Sequence, residues 1–369
     1  MALSHLDRVC QIGLVLTNSI IGSFAEMTQK PFLALKQFYL TSKDDNETPV
    51  RSELLGGSAP LLRKIELHGI AVPFLAMRRL LLSTTDLVGL RIDNIPNTSY
   101  FSPNALVAVL SSLAQLKKLL IDFCFPLSRA RSVTSRAPVP PLKRTILPSL
   151  DNLYFHVASE YAEELCAMID TPALATVGIK LFNQLIFEIP QVWEFISRMK
   201  GLRSFDEVII EPYDTFIPVK LCFREKNKRD DGWCILTVSR NQLDWQLSFA
   251  TQILNQLSPF LSGVKTLSVY RHRTVPMATG KEDVDPTQWL ELFQSLHHLP
   301  NIDINEEELV PDVVQALVGE DEGYRAAELL PSLRSLSLKK FYKSPSVKEA
   351  SERFQAAPWA AGRGLFLSG

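Results

Sequence analysis

Leu333-Arg-Ser-Leu-Ser-Leu338 places three leucines at a spacing of three and then two. The same spacing of apolar residues recurs at Val9/Ile12/Leu14, Leu35/Phe38/Leu40, Leu62/Ile65/Leu67, Leu87/Leu90/Ile92, Leu116/Leu119/Ile121, Leu150/Leu153/Phe155 and Leu174/Val177/Ile179. It returns at Val264/Leu267/Val269 and Leu299/Ile302/Ile304, and a degenerate unit, Leu202/Phe205/Glu207, ends in an acid. First positions fall at 9, 35, 62, 87, 116, 150, 174, 202, 264, 299 and 333, so most steps run from 24 to 35 residues. The exception, from 202 to 264, is about two steps long, and Trp233-Cys-Ile-Leu-Thr-Val-Ser239 could supply the strand it lacks.

The spacing L-x-x-L-x-L is the strand signature of leucine-rich repeats. Helix signals fall between the triplets. Ser102-Pro103 reads as a cap followed by proline at the first helical position, and Leu106, Val109, Leu110 and Leu113 then keep to one helix face. Val192/Phe195/Ile196/Met199, Trp289/Leu292/Phe293/Leu296 and Val310/Val313/Val314/Leu317 repeat that spacing, and Tyr161/Leu165/Met168/Ile169 follows Glu160. Each unit is thus strand, turn, helix, turn. One unit cannot close a core by itself, whereas stacked units bury their apolar faces between neighbours. The expected fold is α/β, an irregular leucine-rich-repeat solenoid over residues 1–357 with parallel strands on the concave side and helices on the convex side.

Composition narrows the function. The 369 residues are 46% hydrophobic, ample for a buried core, and 39 basic against 40 acidic residues give a net charge of −1. No global field favours nucleic acid or an anionic membrane. Cys10, Cys124, Cys166, Cys222 and Cys234 are odd in number and contain no C-x-x-C pair, which argues against a disulfide framework and a zinc site. The apolar cluster from Val9 to Phe24 is too short and too interrupted for a membrane span. These features predict a cytoplasmic or nuclear protein in a reducing compartment, without a cofactor.

Two insertions interrupt the units. Residues 126–148 hold five prolines and five basic residues without an acid and are expected to form a solvated loop, with Ser132 and Ser135 beside arginines as candidate phosphorylation sites. Residues 223–233 lie between two apolar runs and read as a charged hairpin tip closing at Asp231-Gly232. Eight acids and no lysine or arginine lie from Asp303 to Glu322, which suits a solvated helix face or a docking site for a basic partner. The tail, residues 358–369, is expected to be disordered.

No phosphate-cradling glycine loop and no nucleophile-elbow motif is present; Gly56-Gly57 reads as a chain break before a strand. The histidines do not form H-E-x-x-H, His297-His298 suits a helix end, and His272 with Asp283 or Asp285 makes a triad only on paper. An enzyme is therefore not expected, a hydrolase with an unrecognised site being the alternative. What remains is surface. The residues between the apolar strand positions should project from the concave sheet, and Tyr39, Lys64, Glu66, Arg91, Lys118, Asn152, Tyr154, Asp206, Thr266 and Tyr270 are the candidate protein-binding residues. Tyr39, Tyr154 and Tyr270 offer broad, rigid contact area, although tyrosines also favour strands for structural reasons alone.

Leu80-Leu-Leu-Ser-Thr-Thr-Asp-Leu-Val-Gly-Leu-Arg-Ile-Asp-Asn-Ile-Pro96 with Ser102-Pro103, Phe182-Asn-Gln-Leu-Ile-Phe-Glu-Ile-Pro190, Asp244-Trp-Gln-Leu247, Thr287-Gln-Trp-Leu-Glu-Leu292 and Leu330–Leu338 resemble the leucine-rich-repeat F-box-type proteins of mushroom-forming fungi. The resemblance spans residues 6–357 and is confined to the repeat region; an F-box itself is not visible. It implies substrate recognition for a cullin-type ubiquitin ligase, with the ligase's linker subunit as a partner only where an F-box is present. A free-standing scaffold or decoy is the other reading.

Overall fold

The structure is a computed structural model that describes residues 6–44, 53–124, 143–182, 189–199, 205–213, 216–222, 233–239, 243–270, 286–318, 329–338, 344–357 and 364–366. The chain is α/β with mostly parallel strands, and it divides into two compact units, residues 1–182 with 189–201 and residues 183–188 with 202–369.

In the first unit the elements run β1 (Gln11–Leu16), α1 (Asn18–Met27), β2 (Gln37–Ser42), β3 (Lys64–His68), α2 (Phe74–Leu82), β4 (Gly89–Ile95), α3 (Pro103–Leu110), β5 (Lys118–Phe123), β6 (Thr145–Ile146), β7 (Asn152–Val157), α4 (Ser159–Met168), β8 (Ile169–Asp170), β9 (Thr176–Leu181) and α5 (Pro190–Arg198). Strands β1, β2, β3, β4, β5, β7 and β9 lie side by side in that order, every pair parallel. Their register aligns the triplets. Ile12, Phe38, Ile65, Leu90, Leu119, Leu153 and Val177 are cross-strand partners, as are Leu14, Leu40, Leu67, Ile92, Ile121, Phe155 and Ile179. From Leu35 onward all three members of each triplet in this unit are buried. They face the helices: Phe24 of α1 stacks on Phe38 of β2, and Tyr161 of α4 meets Phe123 of β5 edge-on.

One hydrogen-bond device starts each of these strands. The carbonyl two residues before the second apolar position accepts two successive N–H groups from the next strand: Cys10 from Lys36 and Gln37, Lys36 from Arg63 and Lys64, and Val88 from Lys117 and Lys118. This locks the register, since a one-residue slip would turn every apolar side chain to the other face.

The second unit contains β10 (Glu207–Ile210), β11 (Phe216–Cys222), β12 (Trp233–Ser239), α6 (Leu243–Leu257), β13 (Thr266–Val269), α7 (Pro286–Gln294), β14 (Asn301–Ile304), α8 (Val310–Val318), β15 (Ser335–Leu338), α9 (Pro345–Ala356) and β16 (Gly364–Phe366). Here β12, β11 and β10 are antiparallel, whereas β10, β13, β14, β15 and β16 are parallel. Trp233–Ser239 is thus a strand as expected, but it is one arm of an antiparallel hairpin with β11 rather than a further parallel strand. The hairpin tip itself lies outside the described residues.

Three expectations are corrected. The degenerate triplet is misplaced by three residues: Val208 pairs with Leu267 and Ile210 with Val269, so the working triplet is Phe205/Val208/Ile210, which is fully apolar and buried. Asp206 O supplies the paired-acceptor device here, to Lys265 and Thr266. The end of the 126–148 loop is built in, because Thr145–Ile146 pairs with β8 while Arg144 bonds Glu194 at 2.7 Å and the Ala167 carbonyl at 3.2 Å. Ser132 and Ser135 lie outside the described residues. The tail expected to be disordered supplies β16, in register with β15.

Candidate protein-binding face

Side chains alternate across a strand, so the residues between the buried apolar positions share the sheet face opposite the helices. In the first unit this face gathers seven of the candidates: Tyr39, Lys64, Glu66, Arg91, Lys118, Asn152 and Tyr154. Arg91 and Lys118 are exposed and the other five half-buried.

Local pairs hold most of them. Lys64 Nζ lies 2.7 Å from Glu66 Oε1 and 5.1 Å from the centre of the Tyr39 ring, and Tyr39 in turn donates to Gln37 Oε1 at 3.1 Å. The bond to Glu66 holds the Lys64 ammonium above its ordinary pKa. Arg91 Nε donates to Asp93 Oδ2 at 2.8 Å, and His68 Nδ1 meets Asp93 Oδ1 at 3.1 Å. Asp93 is only 6% exposed, and the Arg91 guanidinium with the contact to His68 offsets its burial. The Asp93 bond also raises the Arg91 guanidinium. Thr176 Oγ1 donates to Asn152 Oδ1, and Asn152 Nδ2 to Asp151 Oδ1.

Beside Tyr154, His156 Nδ1 sits 2.7 Å from Asp122 Oδ1, and its ring stacks on Phe182 with centroids 4.2 Å apart. The other ring nitrogen, Nε2, is buried and has no hydrogen-bond partner among the described residues. Burial, with Asp122 adding to it, pushes the Tyr154 hydroxyl up to about 12, so it is a hydrogen-bond donor at neutral pH. Among the described residues no serine or cysteine bonds His156. His272, Asp283 and Asp285, the triad conceivable from sequence, lie outside the described residues.

The remaining three candidates belong to the second unit. Thr266 opens β13 and Tyr270 follows it, both half-buried, with Tyr270 N bonded to Ile210 O at 2.9 Å. Asp206 falls off the face as a consequence of the shifted triplet. It precedes β10 and lies 3.7 Å from Lys265 Nζ; its expected place, between the second and third apolar residues, is taken by half-buried Ile209, and Glu207, before the second, is a buried carboxylate that accepts from Ser268 Oγ at 2.6 Å.

Sequence reasoning missed His68, Asp93, Asp122 and His156. They all occupy the position after the third apolar residue, one step beyond where the triplet was read, and a repeated titratable residue at that place was the available signal. In the second unit Ser258, Leu261, Val264, Leu296, His297 and Leu299 line a small pocket of about 180 Å³, with His297 and His298 exposed and their rings 3.8 Å apart. No helix among the described residues is long and apolar enough to cross a membrane.

Fold and face together define an α/β protein whose first unit carries a polar, aromatic-bearing sheet face. No protein-family model matches the chain, and no curated protein matches it significantly.

Proposed function

We propose that the chain is an irregular leucine-rich-repeat solenoid without enzymatic activity, which holds a protein partner across its helix-free sheet face. The observation that supports this reading is the pre-paired row of Tyr39, Lys64, Glu66, Arg91, Asp93, Asp122 and His156, with Tyr154 beside it. Side chains already fixed by neighbours lose little freedom on binding, and tyrosine and arginine are the residues that most often anchor interfaces. With a net charge of −1, recognition rests on shape and local polar contacts rather than long-range steering. The resemblance to F-box-type repeat proteins extends the proposal to the substrate-recognition part of a cullin-type ubiquitin ligase adaptor.

The test is affinity capture from the cell of origin with the wild-type chain and with a double variant, Tyr39→Ala with Arg91→Glu, after circular dichroism has shown equal folding. A protein enriched by the wild type should be lost from the variant. Equal enrichment by both would remove this face from the function. Recovery of ligase subunits tests the adaptor role separately, and their absence beside a face-dependent partner would leave a free-standing binding protein.

A further inference from the structure

Strand β1 is the outermost strand of the first unit, and among the described residues no strand pairs with its far edge. Cys10 O accepts from Lys36 and Gln37, and Leu16 O accepts from Lys43, so the even-numbered residues of β1 turn their backbone groups toward β2. Backbone direction alternates along a strand, and the N–H and C=O groups of Gln11, Gly13 and Val15 therefore point away from the sheet. Natural edges are usually blunted by lysines, prolines or bulges. This one, Gln-Ile-Gly-Leu-Val-Leu, has none of these, and no charged residue occurs between Val9 and Ala25.

Exposed apolar side chains occur on β1 and on the helix that follows it. Val15 is 57% exposed, and α1, the helix that follows, leaves Ile20 50% and Met27 62% exposed on one of its faces. Gly13 is not required by the chain's own packing, because a Cβ there would meet nothing within 4 Å. Glycine weakens a strand unless another backbone comes close.

We propose that this edge is a self-association surface: two copies pair their β1 strands antiparallel about a two-fold axis through Gly13. In an antiparallel ladder the residues of a hydrogen-bonded pair exchange both backbone bonds. With Gly13 opposite Gly13, Gln11 falls opposite Val15 and Val15 opposite Gln11, so every outward-pointing group of the edge finds a partner. The edge is self-complementary, which makes a second copy its occupant. A two-fold axis sets each residue against its own neighbourhood, where any charge would meet its like, and this stretch is neutral throughout.

Sedimentation equilibrium of the 369-residue chain should show a monomer–dimer equilibrium between about 1 and 100 μM. Gly13→Pro removes the outward N–H at the axis without touching a bond to β2. Val15→Lys places charge on an exposed side chain and leaves the core intact. Each variant should raise the dimer dissociation constant at least about tenfold with circular dichroism and melting temperature unchanged for Val15→Lys. In a Cys10→Ser background, Gly13→Cys should cross-link two copies under mild oxidation, because residues of a hydrogen-bonded pair lie within disulfide reach. A chain that stays monomeric throughout, or a dimer indifferent to both Val15→Lys and Gly13→Pro, would overturn the proposal; the second result would place another copy, or another protein's strand, elsewhere.

Discussion

Gly56 shows how one residue joins two segments. The turn at Leu54–Gly57 has left-handed backbone at Leu55, Gly56 and Gly57, with φ of 55°, 59° and 69°. A Cβ on Gly56 would lie 2.6 Å from both the Gln29 carbonyl oxygen and the Lys30 carbonyl carbon, atoms of backbone that cannot swing aside. On Gly57 it would meet Glu53 Oε2 at 2.7 Å, the tip of a flexible side chain. Gly56→Ala should therefore cost more than Gly57→Ala, about 3 kcal/mol against about 1 kcal/mol, read as midpoints in urea denaturation. Equal losses would show that the backbone conformation alone sets the cost. The sequence displayed a break at Gly56-Gly57, but the residues it packs against are far along the chain and no local pattern announces them. Pro300 has no N–H to donate at a strand entry; the side-chain amide of Asn301 donates to Lys265 O instead, at 2.8 Å. Asn301→Ala should lose about 1 kcal/mol on thermal denaturation, and no loss would mean that water replaces the amide.

At the scale of elements, α3 and α5 start differently. Ser102 caps α3 by accepting from Ala105 N, as its position before Pro103 predicts. Helix α5 begins after Ile189, which has no capping oxygen, and its N–H groups at Gln191 and Val192 donate to the Glu163 carboxylate of α4 at 3.0 and 2.9 Å. Glu163→Ala strands both donors and should cost about 1–3 kcal/mol. Burial raises the Glu163 carboxyl above the ordinary value, outweighing the two N–H bonds that lower it. The stability tied to that raised value is fully present below the unfolded carboxylate pKa and is lost as the pH rises through the folded one. The margin of the wild type over Glu163→Gln should consequently be larger near pH 4 than near pH 7 in paired denaturation curves; a margin growing with pH would mean that the two N–H bonds dominate. The elements themselves were largely legible, because a strand needs only two or three apolar positions at fixed spacing and these repeat. The Leu202 unit misled because Phe205 satisfies the spacing in two frames, and only pairing across to Leu267 chooses between them. The polar face was half legible: the in-between residues followed from alternation, whereas the Arg91–Asp93–His68 and Asp122–His156 pairs depend on which strands are neighbours.

Across the whole molecule, the two compact units each bury one thiol in their apolar interior: Cys166 on α4 in the first and Cys234 on β12 in the second. Burial pushes the Cys166 thiol well above its ordinary pKa and the Cys234 thiol up to about 12. A thiol reacts as its thiolate, so both should resist alkylation in the native protein, while exposed Cys10 reacts at once. Each buried thiol then reports the opening of its own surroundings as denaturant is raised. Glu163 lies one turn from Cys166, and its loss weakens the α4–α5 contact of the first unit without altering any residue of the second. In Glu163→Ala, pulse alkylation read by mass spectrometry should find the Cys166 labelling midpoint shifted to lower urea and the Cys234 midpoint unmoved. Should both midpoints fall together, the division into two units would be one of packing density alone and the chain would open as a single cooperative body.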